Sequence, residues 1–141
     1  MTWQAEVGWN GGFRSEAKVR DFDPAKSDEP DQLGGTKTGP NAVEQVPGAL
    51  GNCPAAGYAG NATAAGITVN EVVSDVSDDL DLHTILGLRV GNAGFGGIEV
   101  AVNIDGDASP EALPSLHAKF TGTSPVGHMP LRAVPVSIDQ A

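Results

Sequence analysis

The chain has one cysteine in 141 residues. A lone cysteine rules out an internal disulfide and a thiolate zinc centre, and it agrees with a reducing compartment. Aromatic residues are scarce at 5%, so a core has few large anchors. Basic residues are scarce too: eight lysines and arginines face 18 aspartates and glutamates, for a net charge of -10. So acidic a surface repels phosphate backbones and anionic bilayers, and the eight cations form no patch, so neither a nucleic acid nor a membrane is expected as a partner. No apolar run approaches the ~20 residues of a membrane-spanning helix, and the opening MTWQAEVGW lacks the basic-then-apolar layout of a secretory signal. These absences predict a cytoplasmic protein.

What the chain does have is turn chemistry, with 19 glycines and 10 prolines, beside an ordinary 40% of hydrophobic residues. Its length suits one domain over residues 1–141 that buries about two-thirds of its unfolded surface. Trp3, Ala5, Val7 and Trp9 alternate with polar or small residues up to Asn10-Gly11-Gly12, and Phe13, Ser15, Ala17 and Val19 then alternate with charged ones. This predicts a β-hairpin with one buried and one charged face. Residues 21–40, dense in Pro, Gly and Asp, predict a long loop with room for a short edge strand.

Asn41 followed by Glu44 has the form of a capping box, which predicts a helix running to about Ala65 with Gly66 as its stop. Val46, Leu50 and Tyr58 are spaced for one face of that helix. Strand periodicity recurs over residues 67–76, over Ile98 to Ile104, and at Val134, Val136 and Ile138. Between the last two, Ser109-Pro110 and then Leu113, Leu116 and Phe120 mark a second helix. The order predicts an α+β fold: N-terminal hairpin, central helix, mainly antiparallel sheet, second helix and C-terminal strand.

Several short signals suggest chemistry and do not carry it. GGTKTG, residues 34–39, has the letters of a phosphate loop in the wrong order, since the lysine must follow the last glycine and open a helix. GNAGFGG, residues 91–97, precedes a strand where a dinucleotide fingerprint follows one, so it reads as a turn. Asp75, Asp78, Asp79, Asp81 and His83 match no calcium-loop spacing and read as a solvated connection. His83, His117 and His128 have no recognisable partner in sequence and read as structural or surface residues. No metal or cofactor is expected.

Cys53 stands apart because Pro54 follows it inside a segment with Pro47, Gly48, Gly51, Gly57 and Gly60. Proline costs about 3 kcal/mol and glycine about 1 kcal/mol in a helix interior, so the helix is expected to kink or restart between Leu50 and Pro54. A restart places the thiol at a helix N-terminus, where it ionises readily. A continuous helix makes Cys53 a small buried side chain.

The run DEPDQLGGTKTGPNAVEQVPGALGNC, then GYAGNATAAGI, and the tail TSPVGHMPLRAVPVSI resemble the OsmC/Ohr family of osmotically inducible and organic hydroperoxide resistance proteins. The resemblance covers nearly the whole chain and is most specific over residues 28–53. It implies an OsmC-like fold, an intertwined homodimer, and a thiol-dependent reduction of hydroperoxides. Residue by residue, Cys53 stands at the attacking position and Glu44 at that of a carboxylate orienting an arginine. Arg20 is the first choice for that arginine and Arg14 the second. The bland readings are that Glu44 only caps the helix and that the arginines sit on a solvated hairpin.

The chain departs from the family pattern at Ser124, where the peroxidases carry a second, resolving cysteine. A hydroxyl cannot condense with a sulfenic acid to give a disulfide, so the two-cysteine cycle is excluded. Two readings stay open. One is a one-cysteine peroxidase recycled by an external thiol reductant. The other is a non-catalytic relative that binds a small hydrophobic ligand in the dimer cleft. The fold implies that Ser124 lies on the second helix or at its end, facing Cys53.

Overall fold

In the computed structural model, residues 1–132 and 134–138 are described. They form two compact units, residues 1–46 and residues from Pro47 onward.

The first unit is a three-stranded antiparallel sheet ordered β1 (Glu6–Trp9), β2 (Ser15–Lys18), β3 (Ala25–Ser27). The turn between β1 and β2 is the expected one: Gly11 and Gly12 both have positive φ, and Asn10 N–H donates to Arg14 O at 2.9 Å. β3 is the short edge strand that the loop left room for, with Ala17 opposite Ala25. The expected buried face of the hairpin is corrected, because Trp3 and Trp9 are each 76% exposed and Val7 is exposed with them. Alternation supplies an apolar face, but a face is buried only where a second layer covers it.

A single long helix, α1 (Ala42–Ala64), starts at the end of the first unit and runs into the second. Its capping box forms reciprocally, with Glu44 N–H donating to Asn41 Oδ1 and Asn41 N–H donating to Glu44 Oε2, each at 2.8 Å. At the other end Gly66 takes positive φ and Ile67 N–H reaches back to Ala62 O at 3.0 Å, which closes the helix.

The expected restart at Pro54 is also corrected: the helix is continuous through Pro47 and Pro54. The reason is tertiary. Leu50, Pro54, Tyr58 and Ala62 recur at every fourth position and are all buried, so the stripe that proline interrupts locally is the stripe that packing stabilises. Val46, expected on that face, is exposed.

In the second unit, β4 (Val69–Asp78) pairs antiparallel with β5 (Ile98–Gly106), with Val72 opposite Ile104 and Val76 opposite Val100. One short helix, α2 (Leu82–Ile85), lies between these strands. Two more, α3 (Ala112–Thr123) and α4 (Pro125–Leu131), follow them. Tyr58, Ala62 and Leu116 are the buried core, with Val72, Val102, Ile104 and Phe120 packed against it. Residues 134–138 carry no strand, contrary to expectation, and Val134, Val136 and Ile138 are exposed. Alternating valines give strand propensity, but a strand is completed by its ladder partner.

Candidate active site

The geometry around Cys53 follows from how α1 meets α3. A Cβ at Gly57 would stand 2.5 Å from Phe120 Cδ2, so only glycine lets the Phe120 ring lie on the helix backbone there. The Phe120 and Tyr58 rings stack with centroids 4.9 Å apart. The Tyr58 hydroxyl hydrogen-bonds His117 Nδ1, and burial raises the phenol's pKa above its ordinary value. Residue numbers fall along α1 as they rise along α3, so the two helices run antiparallel. One turn beyond the Gly57–Phe120 contact, Cys53 on α1 meets Ser124 at the end of α3.

There Cys53 Sγ lies 3.2 Å from Ser124 Oγ. Ser124 is 4% exposed, caps both α3 and α4, and accepts a hydrogen bond from Gly127 N–H at 3.0 Å. Cys53 itself is half-buried. Ser124 also lines a cavity of about 110 Å³, together with Leu50, Pro54, Val100, Phe120 and Leu131. A wider apolar groove of about 630 Å³ shares Leu50, Val100 and Leu131 with it and continues past Phe95, Ile98 and Pro130. His128 joins the cavity wall, its Nε2 3.0 Å from Thr121 O.

The other expected site residues belong to the first unit. Glu44 is held in the capping box by Asn41. The Arg20 guanidinium lies over the Phe22 ring, 4.6 Å from its centroid, and Arg20 has a positive φ of 52°. Arg14 Nε donates to Gly11 O in the hairpin turn.

Sequence reasoning missed the centre of the 28–38 loop. Asp28, 2% exposed, accepts from the Thr36 hydroxyl at 2.6 Å, the Thr38 hydroxyl at 3.1 Å, and the N–H groups of Glu29, Thr36 and Thr38. The Thr36 hydroxyl foremost, opposed by burial and aided by the Thr38 and Thr36 amides, lowers the Asp28 pKa to about 2. The threonines of GGTKTG therefore serve an internal carboxylate. Glu29 extends the network, accepting from Asn41 Nδ2 at 2.8 Å. The available signal was two threonines, two positions apart, after Gly34-Gly35.

His117, which had no recognisable partner in sequence, is partnered by Tyr58. Asp81 N-caps α2 and pairs with Arg89. Among the described residues no cluster of His, Cys, Asp or Glu could hold a metal ion, and no helix is long and apolar enough to cross a membrane.

Solved structures give the architecture its parallels. An OsmC-like protein from Mycoplasma pneumoniae superposes with a TM-score of 0.78 at 16% identity, over 94% of this chain and 89% of that one. The fold is that of the OsmC-like proteins. An organic hydroperoxide resistance protein OsmC from Legionella pneumophila matches at TM-score 0.66 and 18% identity, over 94% of this chain and 90% of that one. The organic hydroperoxide resistance protein OhrB of Bacillus subtilis matches at 0.55 and 19%, over 89% and 88%. No protein-family model and no curated protein sequence matches the chain. At these identities the OsmC-like fold is what the likeness carries.

Proposed function

We propose that this chain is a single-domain OsmC/Ohr-like protein that reduces organic or lipid hydroperoxides to alcohols through Cys53, in a one-cysteine cycle. The observation that carries this reading is the Cys53 sulfur, 3.2 Å from buried Ser124, which itself lines an apolar cavity that shares walls with a larger groove. Such a lining suits the organic part of a hydroperoxide.

The thiolate attacks one peroxide oxygen; an S–O bond forms, the O–O bond breaks, and the departing alkoxide takes a proton to become the alcohol. Sulfur supplies both electrons. One external thiol then displaces water from the sulfenic acid to give a mixed disulfide, and a second thiol releases Cys53 as a thiol. The roles assigned to Glu44 and Arg20 belong to the proposal: a carboxylate orients a guanidinium that favours the thiolate. A homodimer belongs to it as well, because the exposed Trp3, Val7, Trp9, Leu88 and Val90 give a single chain much uncovered apolar surface. A reducing, cytoplasmic setting would supply the external thiol.

The test is to add cumene hydroperoxide and follow the mass of Cys53 with and without a small thiol. The expected outcome is stoichiometric sulfenic acid that the thiol returns to the reduced form. Ser124→Cys should then close a disulfide after peroxide, which the parent protein does not. If Cys53 stays reduced while peroxide persists, the second reading takes over: a non-catalytic binder of a small hydrophobic ligand, favoured by the same groove. Light scattering at micromolar protein checks the dimer, and a monomer counts against it.

A further inference from the structure

We infer that Ser124 is a positioning residue for Cys53, its hydroxyl donating to the sulfur and held in that role by the backbone of Gly127. The inference rests on the thiol chemistry proposed above and names the group that prepares the thiolate once the resolving thiol is absent.

A serine hydroxyl has one proton and two acceptor lone pairs. At Ser124 one lone pair already takes the Gly127 N–H, at 3.0 Å. That approach needs glycine, because a Cβ at residue 127 would stand 2.8 Å from Ser124 Oγ. That leaves the hydroxyl one proton and one lone pair to face the Cys53 sulfur at 3.2 Å, and since a thiol is the weaker donor of the two, the hydroxyl supplies the proton. A thiol is a weak donor and a thiolate accepts only, so this arrangement serves both states and needs no reorganisation when the proton leaves. At 4% exposure Ser124 meets little competition from water. A hydrogen bond made to the charged form favours that form. The cavity that Ser124 borders is lined further by Leu50 and Pro54 from α1, Val100 from β5, Phe120 and Thr121 from α3, and Gly127, His128 and Leu131 from α4. His128 is the titratable group among the described residues of that cavity wall.

Because the chain has one cysteine, its S–H stretching band in Raman spectra comes from Cys53 alone. In the intact protein that band should have the position of a thiol that does not donate. A band shifted down and broadened, as for a donating thiol, overturns the inference without any variant. The pH profile of Cys53 alkylation by iodoacetamide gives the second reading: Ser124→Ala should move it up by about one pH unit, and Ser124→Thr should restore it. An unchanged profile in a folded Ser124→Ala protein overturns the inference and leaves Ser124 as the cap of α4. Neither measurement uses peroxide. Failure of Cys53 to be oxidised would refute the peroxidase reading while the hydroxyl's role stood.

Discussion

The two units of this chain are held by opposite means. In the first, a buried carboxylate organises the loop: Asp28 collects five hydrogen bonds, while Trp3, Val7 and Trp9 remain exposed. In the second, apolar packing organises the helices, with Tyr58, Ala62, Leu116 and Phe120 seating α1 and α3 on the β4–β5 sheet. A polar hub is strong only while every partner is in place, whereas an apolar contact depends on volume and fit. The two units should therefore fail under different perturbations.

The largest effect is expected at Gly35, where an added Cβ would stand 1.7 Å from the carbonyl oxygen of Glu29. Backbone cannot yield as a side chain can, so Gly35→Ala should cost upwards of about 3 kcal/mol. Hydrogen exchange should show protection lost first at the amides of Thr36 and Thr38.

Gly57→Ala tests the apolar side. Its Cβ meets the Phe120 ring at 2.5 Å, and overpacking of that kind costs about 1–3 kcal/mol, less up to about 1 kcal/mol returned by better helix propensity. Gly60→Ala is the control: nothing lies within 4 Å of its added Cβ, so it should stabilise by up to about 1 kcal/mol. Urea unfolding of both variants measures the contrast, and equal effects would break the packing account.

Acid probes the Asp28 hub without mutation. The folded pKa of Asp28 is about 2 against an ordinary 3.8, so its contribution is fully present above about pH 4 and is lost as pH falls through 2. Exchange protection of the 28–38 loop should fall over that window in the parent protein. In Asp28→Asn it should already be weakened at neutral pH, with little further loss from this site on acidification. Tyr58→Phe should have the smallest destabilising effect, about 1 kcal/mol for one hydrogen bond, because the Phe120 stacking survives.

The sequence made local features legible and hid distant ones. The Asn41–Glu44 capping box, the Asn10-Gly11-Gly12 turn and the Gly66 stop each depend on residues within one turn of chain, and each formed as read. The continuity of α1 through Pro54 was hidden because its cause lies on α3 and the sheet. Asp28 was hidden because its partners lie eight and ten residues away and act through side chains. Cys53 was readable as a candidate from its own setting, and Ser124 as its neighbour only through the family resemblance; their 3.2 Å approach goes with the close helix contact at Gly57, four residues further along α1.

The seat of Phe120 on Gly57 also fixes an index. On an α-helix each residue advances about 100°, so slipping α3 by a single position would swing Ser124 to another side of its axis and leave the sulfur facing a different group. A ring lodged where no methyl group fits acts as a gear tooth, and the Tyr58–His117 link one turn away acts as a pawl. Selection for thiol reactivity would therefore fall on residues that never touch the sulfur, and a neutral-looking change at position 57 or 120 could silence Cys53 with every atom of the pair still present.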